Sequence, residues 1–234
     1  MTRLHEDVER QVIEQIASGD IAEGDWLPRE VDLAKRYGIS RGVARETIQA
    51  LRARGVVDVR HGRGAWVLPE QRWDLLDPQL LVALVIAPGR ADLLDEVLEC
   101  RRTLESEAAA LAAERAGEGD GRDLAAALEA MREASGAAHR GMPEDAPEVR
   151  AEAAFHGLLV TLAANRPLRR MLEPLHLALA VVRHELVDGR ERATLTQHER
   201  IVAAVAGRDP DAARDAIRAQ ATELAEWLRS ARPR

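Results

Sequence analysis

LPREVDLAKRYGISRGVARETIQALRARGVVDVRHGRGAWV, residues 27–67, is the stretch that decides the fold of the N-terminal part. Its first half predicts two helices separated by a tight turn, because Gly38 ends one apolar-faced segment and Ser40 is placed to cap the next. Two short apolar runs, 56–59 and 65–68, flank HGRG and predict a hairpin that forms a wing. The pattern is typical of a winged helix-turn-helix, in which the second helix enters the major groove of DNA.

The charge of this stretch agrees with DNA binding. Residues 35–63 contain eight Lys and Arg against two acidic residues, whereas the whole chain has a formal net charge of −7. A focused basic patch on an acidic chain attracts phosphates to one face only. Arg41 and Arg45, an i,i+4 pair near the start of the second helix, are predicted to project together from its exposed side. Arg54 is expected to be an exposed residue within reach of a phosphate.

The composition predicts a mostly α-helical protein of two domains. Hydrophobic residues make up 46% of the chain but aromatic residues only 3%, which favours helices packed by aliphatic side chains over a β-sandwich. We predict a winged helix-turn-helix with a small β wing at 1–70, a linker at 71–77, and an all-α bundle of six or seven helices at 78–234. The predicted helices are 4–17, 78–86, 90–116, 121–139, 146–164, 166–187, 191–207 and 210–231.

The cysteine content and the hydropathy of the sequence indicate the cellular compartment in which the protein is expected. Cys100 is the only cysteine, so no intrachain disulfide can form. It lies in a Leu/Ala-rich helical pattern, and we expect it to pack in the core rather than to act as a reactive thiol. The sequence opens with no secretory signal and has no apolar run of transmembrane length. We therefore expect a cytoplasmic protein.

The N-terminal part resembles the GntR family of bacterial transcription regulators. The resemblance spans nearly all of this domain, and the residues that match the family signature are Leu27, Pro28, Glu30, Leu33, Ala34, Ser40, Arg41, Arg45, Glu46, Leu51, Gly55, Gly62, Arg63, Gly64 and Val67. The C-terminal part resembles the FadR-type subfamily with its helical effector-sensing FCD domain, through the segments at 99–116, 152–168 and 197–217. RWDLLDP, at 72–78, is similar to members that sense sugar acids such as galactonate.

The resemblance implies that the DNA contacts come from the recognition helix and the wing. At Val31 most members of the family have an Arg that also touches DNA, and Arg29 is a partial replacement two residues earlier. The candidate DNA-binding residues are Arg29, Ser40, Arg41, Gly42, Arg45, His61, Gly62 and Arg63.

Four polar residues are expected to converge inside the bundle. Glu152 and His156 are an i,i+4 pair on one helix, and a turn at GRDP would bring His198 level with Gln220. The subfamily pattern at these positions is an Asp and three His that bind a divalent metal. Two imidazoles and a carboxylate suffice for Zn, Ni or Mn, so Glu152, His156 and His198 are the predicted ligands. Gln220 in place of His weakens such a site, and the alternative is that both histidines are hydrogen-bonded core residues without a metal.

The resemblance also implies a site for a small carboxylate effector. Arg101 matches an Arg that reaches into the pocket in the subfamily, where a guanidinium can hold a carboxylate bidentately. The alternative is an Arg101–Glu105 pair on a solvated face of the helix. Asn165 also matches a subfamily position, although helix capping explains it without a ligand. Arg101, Asn165 and Gln220 are the candidate effector-binding residues.

These observations predict a ligand-responsive transcription regulator. We expect a homodimer that represses by binding a palindromic operator in double-stranded DNA and is released by a carboxylate effector of the sugar-acid type. The competing hypothesis is a metal-dependent hydrolase or lyase with a DNA-binding appendage, because enzymes also use Glu/His/His sites with open positions. Against an enzyme, no Ser, Cys or Lys paired with a base accompanies these residues, and Glu152 is needed as a ligand.

Overall fold

The computed structural model describes residues 2–87, 90–135, 143–186 and 191–231, which form ten α-helices and one two-stranded sheet. This confirms the predicted class, mostly α with a small β wing. The chain divides into two compact units, 1–90 and 91–234. Within the described ranges, no helix is both long and apolar enough to cross a membrane.

The first unit contains the helix-turn-helix and the wing. Its elements are α1 (Thr2–Ala17), α2 (Glu30–Tyr37), α3 (Arg41–Ala53), β1 (Val57–Arg60), β2 (Gly64–Val67) and α4 (Pro78–Ile86). Helix α3 packs against both α1 and α2. The strands pair antiparallel, with Val57 opposite Val67 and Arg60 opposite Gly64, and Trp26 adds an isolated bridge to Trp66.

The turn between α2 and α3 forms for the reasons that the sequence predicts. Gly38 adopts a left-handed conformation with φ of 65° and its N–H donates to Ala34 O, which ends α2. Ser40 Oγ accepts a hydrogen bond from Val43 N at 3.2 Å and caps α3. Because the buried face of α3 packs against its neighbours, its first turn presents the opposite side to solvent.

Residues 70–77 connect the wing to α4 through a 3₁₀ turn at Glu70–Arg72. Asp77 then caps α4 by accepting a hydrogen bond from Leu80 N. Helix α4 packs against α1 within the first unit, although its sequence had been grouped with the bundle. The compact division of the structure falls after Arg90, and the linker at 71–77 stays a prediction.

Arg54 does not have the role that its sequence position indicates. Its guanidinium forms ion pairs with Glu9 and, at 2.7 Å, with Asp77, and its side chain is only 19% exposed. The expected contact with a phosphate is therefore wrong, because these carboxylates hold the guanidinium inside the first unit.

The second unit is a bundle of six helices among its described residues. They are α5 (Ala91–Arg115), α6 (Asp120–Ala134), α7 (Pro147–Leu162), α8 (Arg166–Leu186), α9 (Glu191–Ala206) and α10 (Pro210–Ala231). Helix α5 is central and packs against α7, α8, α9 and α10. Its buried alanines, such as Ala108, Ala109 and Ala112, have small side chains that allow these helices to approach closely. Cys100 is exposed on α5, so its expected place in the core is wrong.

The helix ends in this unit lie close to the predicted ones, because Gly and Pro mark most of the breaks. Helix α6 ends at Ala134, whereas the sequence pattern predicts a helix as far as 139. Residues 136–142 lie outside the described part of the chain.

Candidate functional site

The first candidate site is the exposed surface formed by the start of α3 and the tip of the wing. Every predicted DNA-binding residue on this unit is exposed to solvent: Arg29, Ser40, Arg41, Gly42, Arg45, His61, Gly62 and Arg63. Gly62 has φ of 77° at the turn between β1 and β2, a conformation that glycine adopts without strain. The surface therefore presents four arginines together with exposed backbone at the wing tip.

Arg45 is held in place on this surface by a residue of α2. Its Nε donates to Glu30 Oε1 at 3.1 Å, and its terminal nitrogen donates to Glu30 Oε2, also at 3.1 Å. Both side chains remain accessible, with 68% of the Arg45 side chain exposed. This bidentate contact fixes the direction of the guanidinium while one of its edges stays open.

The wing contains a further cation that the sequence analysis missed. The Arg60 guanidinium lies 5.3 Å from the centre of the Trp66 ring, within cation–π distance. Arg60 and Trp66 are on neighbouring strands, and Arg60 directly precedes the wing tip. An aromatic residue two positions after the second glycine of HGRG is the sequence signal that could have indicated this stacking.

The second candidate site lies inside the bundle, around a buried carboxylate. The Glu105 cluster consists of Arg101 and Glu105 on α5, His156 on α7 and His176 on α8, all of them buried. Glu105 Oε2 accepts from Arg101 Nε at 2.7 Å, while Glu105 Oε1 lies 2.6 Å from His156 Nδ1 and 3.0 Å from His176 Nε2. The predicted Arg101–Glu105 pair thus forms, but in the core and not on a solvated face.

The charges of the Glu105 cluster follow from these contacts. Burial alone would raise the pKa of Glu105, but Arg101, His176 and His156 together hold that pKa well below its usual range. Burial lowers the pKa of His176, and Glu105 only partly offsets this effect. Glu105 is therefore an ionised acceptor, and it pairs with the permanent charge of Arg101.

His156 extends from this cluster towards His198 on α9 and Gln220 on α10. Since His156 Nδ1 donates to the Glu105 carboxylate, its Nε2 is left as the acceptor nitrogen. That Nε2 lies 3.1 Å from His198 Nε2 and 3.2 Å from the Arg101 guanidinium. The Gln220 amide nitrogen lies 2.9 Å from His198 Nε2. The structure thus brings together four of the residues singled out from the sequence.

Glu152, the predicted carboxylate ligand, is turned towards a different partner. It lies one helical turn before His156 on α7, but its Oε2 is ion-paired with Arg183 on α8. Burial alone would raise the pKa of Glu152, but Arg183 and the nearby histidines lower it, so this carboxylate is ionised. Arg183 Nε is buried and has no hydrogen-bond partner among the described residues.

The donor atoms only partly fit a divalent metal. Two imidazole nitrogens that share a tetrahedral zinc ion lie about 3.3 Å apart, and the 3.1 Å between His156 and His198 is close to that value. The carboxylate hydrogen bond to the far side of the His156 ring is also typical of metal-binding histidines. Among the described residues, the group of three whose carboxylate and imidazole donors all lie within 4.8 Å of one another is Glu105, His156 and His176. The predicted set, by contrast, needs Glu152 to leave Arg183.

A cavity of about 350 Å³ adjoins these groups. The residues that line it are Arg101, Glu152, Arg183, Gln197, Gln220, Glu223, Leu224, Glu226, Trp227 and Ser230. Two guanidiniums and two amides thus face the same space as an indole ring. Asn165 is not part of the lining: its Oδ1 accepts from Leu168 N at 3.2 Å and caps α8.

Sequence reasoning missed His176, Arg183 and Trp227 as members of the site. His176 and Arg183 are seven residues apart on α8, a spacing that places both on one face of a helix. His176 follows directly on the buried Leu175 and has Leu172 one turn before it, so its inward direction could be read from the apolar pattern of α8. The pairing of Arg183 with Glu152 has no comparable local signal.

Comparisons with known proteins identify both units. The family described as bacterial regulatory proteins, gntR family, matches residues 4–67, and the FCD domain matches residues 96–222. The uncharacterised HTH-type transcriptional regulator Rv0494 of Mycobacterium tuberculosis is 32% identical over 93% of this chain and 86% of its own. The galactonate operon transcriptional repressor of Escherichia coli is also 32% identical, over 50% of this chain and 51% of its own.

A solved structure shares the fold over nearly the whole length. Lar, which is described as controlling expression of the Listeria monocytogenes agr system, aligns with a TM-score of 0.65 at 20% identity, over 97% of this chain and 96% of its own. The chain therefore belongs to the GntR family of bacterial regulatory proteins, with a winged helix-turn-helix at its N-terminus and an FCD domain as its helical bundle.

Proposed function

We propose that this transcription regulator represses its target by binding a palindromic operator as a homodimer, and that a small carboxylate bound in the bundle cavity releases it. The observation that carries the effector half of this proposal is the cavity itself, in which the Arg101 and Arg183 guanidiniums face one space of about 350 Å³. Forked guanidiniums in a small concave site favour a compact anionic ligand, which has to compete for them with the carboxylates of Glu152, Glu223 and Glu226 that line the same space.

The operator half rests on the exposed surface of the first unit. The start of α3 presents Arg41 and Arg45, whose forked guanidiniums suit the O6 and N7 acceptors of guanine in the major groove. The wing tip adds His61 and Arg63 beside the backbone of Gly62. Two copies of this unit, related by two-fold symmetry, would contact two half-sites of an inverted repeat.

The polar lining of the cavity favours a sugar acid over a simple fatty acid. Gln197, Gln220 and Ser230 offer hydrogen bonds to hydroxyl groups, and Trp227 offers an apolar face to a carbon chain. A hydroxylated carboxylate uses both kinds of group, and the arginines take its charged end. The similarity to the galactonate operon repressor of E. coli supports this class of ligand.

A divalent metal of the Zn, Ni or Mn type is part of the same proposal. His156 and His198 would hold it through their Nε2 atoms, with Glu152 as the carboxylate ligand and the Gln220 amide oxygen as a weak fourth group. When bound, a metal with open positions supplies a cation that can accept an effector carboxylate. Glu105 orients the His156 ring for this role through its hydrogen bond to Nδ1.

The effector half is tested by thermal denaturation of the full chain with D-galactonate, D-gluconate and uncharged D-galactose. We expect the two acids to raise the melting temperature and galactose to have no effect. Arg101→Lys keeps the charge but loses the forked geometry, so it should abolish the response. Arg214→Lys is the matched control, since Arg214 pairs with Glu107 and is not among the cavity residues. Equal effects of galactose and galactonate, or a full response in Arg101→Lys, would contradict the proposal.

The operator half is tested by selection from a pool of random double-stranded DNA, followed by sequencing of the bound fraction. We expect an inverted repeat with G·C pairs in each half-site, because a dimer with two α3 helices recognises both halves. Enrichment of a single, unrepeated site would contradict the proposal that a homodimer binds a palindromic operator.

A further inference from the structure

The carboxylate of Glu152 has two possible positions. It precedes His156 by one turn of α7, which lets its carboxylate reach the point between His156 and His198. In the structure the carboxylate instead pairs with Arg183 of α8. One buried carboxylate can therefore reach either a guanidinium or the histidine pair.

Arg183 lies mostly inside the bundle, but the described residues do not use all of its hydrogen-bond donors. Only 13% of its side chain is exposed, and among the described residues its Nε has no hydrogen-bond partner. Its guanidinium lines the same cavity as Arg101. A buried guanidinium with an unused N–H and a single carboxylate partner has donors left for a second anion.

We propose that Arg183 is an internal cation that competes with a divalent metal for Glu152 and thereby sets the metal affinity of the bundle. This inference rests on the metal site given under the proposed function. With Arg183 bound, the charge of Glu152 is compensated inside the protein and the carboxylate is withheld from His156 and His198. Glu152 can complete the metal site only by leaving Arg183.

The departure of Glu152 from Arg183 also changes the number of hydrogen-bond donors that Arg183 presents to the cavity. A guanidinium and a divalent cation repel each other, and a single carboxylate cannot neutralise both in a buried site. Once Glu152 has turned to the metal side, Arg183 is left with all its donors facing the cavity. An anionic effector at Arg183 would replace the lost partner, which ties metal binding to effector binding by mutual affinity.

The experiment measures the zinc affinity of the metal-free full chain at fixed pH by competition with a chromophoric chelator. Arg183→Gln removes the competing cation, so zinc should bind about tenfold more tightly or better than in the wild type. Arg150→Gln is the matched control, because Arg150 pairs with Asp145 on the surface of the same unit and should leave the affinity unchanged. Glu152→Gln combined with Arg183→Gln should cancel the gain.

Arg183→Gln leaves Glu152 buried without its partner, so its folding is checked by circular dichroism and thermal denaturation. Zinc should raise the melting temperature of Arg183→Gln more than that of the wild type, since the metal then supplies the missing cation. Arg183→Lys, which keeps a cation with fewer donors, serves as the second variant and should show an intermediate affinity.

The outcomes separate this inference from the proposed function. If the wild type binds zinc and neither Arg183 variant binds it more tightly, the competition is overturned while the metal site stands. Zinc binding by none of the proteins overturns both the competition and the metal part of the proposed function. A gain that persists with Glu152→Gln overturns the competition, because Arg183 would then act through another group.

Discussion

Arg45 and Arg54 lie at opposite ends of α3, and their partners give them different roles. Arg45 is exposed and is held by Glu30 at the surface, whereas Arg54 is enclosed by Glu9 and Asp77. A guanidinium with an open edge is available to DNA, and one that compensates two carboxylates is part of the fold. Arg45 is therefore expected to affect DNA binding, and Arg54 the stability of the first unit.

Arg45→Ala should weaken binding to the selected operator by about 1–3 kcal/mol, because a bidentate contact to a guanine would be lost. The stability of the protein should change little, since Arg45 and Glu30 are both accessible. A gel-shift titration at fixed salt measures the affinity, and Arg229→Ala, on the surface of the other unit, is the control. Unchanged operator affinity would show that the start of α3 does not recognise bases.

Arg54→Ala should destabilise the first unit by about 3–5 kcal/mol, because it leaves the carboxylate of Glu9 buried without its cation. The free energy of unfolding is measured by urea denaturation, with Arg52→Ala as the comparison. Arg52 also pairs with an acidic residue, Asp58, but 52% of its side chain is exposed, so its loss should cost little. If Arg54→Ala instead has normal stability but binds all DNA sequences more weakly, Arg54 contacts a phosphate after all.

At the scale of elements, the junction between α3 and β1 depends on Gly55. This residue has φ of 70°, and a Cβ built on it would lie 2.3 Å from the backbone oxygen of Arg72. A left-handed conformation and a backbone clash therefore both exclude a side chain here. The segment after the wing is thus in direct contact with the end of the recognition helix.

Gly55→Ala should lower the melting temperature clearly, by the equivalent of about 1–3 kcal/mol for the strained backbone alone and more for the clash. Gly62→Ala is the matched comparison: Gly62 also has a positive φ, of 77°, but no atom lies within 4 Å of its Cβ position. The difference in melting temperature between the two variants reports the cost of the clash with the backbone oxygen of Arg72. Equal losses of stability would mean that the segment after the wing can move away from Gly55.

Helix positions and the turn chemistry were predictable because they depend on nearby residues. Gly38 and Ser40 mark the helix-turn-helix, and the Gly and Pro residues of the bundle mark its breaks, so most helices begin and end close to their predicted positions. The packing partner of α4 was not predictable, since PQLLVALVI is apolar almost all round and has no polar face to orient it. Its location beside α1 is set by long-range contacts.

The same division holds for the candidate site. Glu152, His156, His198 and Gln220 were predicted to converge because helical spacing and an antiparallel turn fix their levels, and the structure brings the polar atoms of the last three together. Arg101, which the family resemblance implied, joins them through His156. The partner of Glu152 could not be predicted, since the group with which a buried carboxylate pairs depends on burial and on the geometry of neighbouring helices. No local pattern in α7 indicates this partner.

At the scale of the whole molecule, the two compact units should be separable. Fragment 1–90 should fold as a monomer that binds the full operator weakly, and fragment 91–234 should fold as a dimer, because the Ala/Leu-rich bundle is the larger of the two units. Light scattering and thermal denaturation of the purified fragments measure both properties. A monomeric 91–234 fragment would remove the basis for two-fold operator recognition.

A third fragment tests where the boundary lies. Fragment 78–234 carries α4 without α1, so the side chains of Leu80, Leu81 and Leu84, which are buried in the full chain, would lose their cover. We expect this fragment to aggregate at concentrations where 91–234 remains dispersed. Equal behaviour of the two fragments would place α4 with the bundle.

Six of the ten residues that line the cavity belong to α10, and those at 223, 226 and 230 are exposed at its rim. Except for Gln220, the inner polar groups lie on other helices, with Glu105 on α5 and His156 on α7. Under the proposed function, the specificity for an effector can therefore change through substitutions along three turns of a single helix, without disturbing the buried cluster around Glu105. After gene duplication, a receptor of that kind would need few mutational steps to accept a new effector, and a laboratory library confined to Glu223, Glu226 and Ser230 would be a small one for building biosensors.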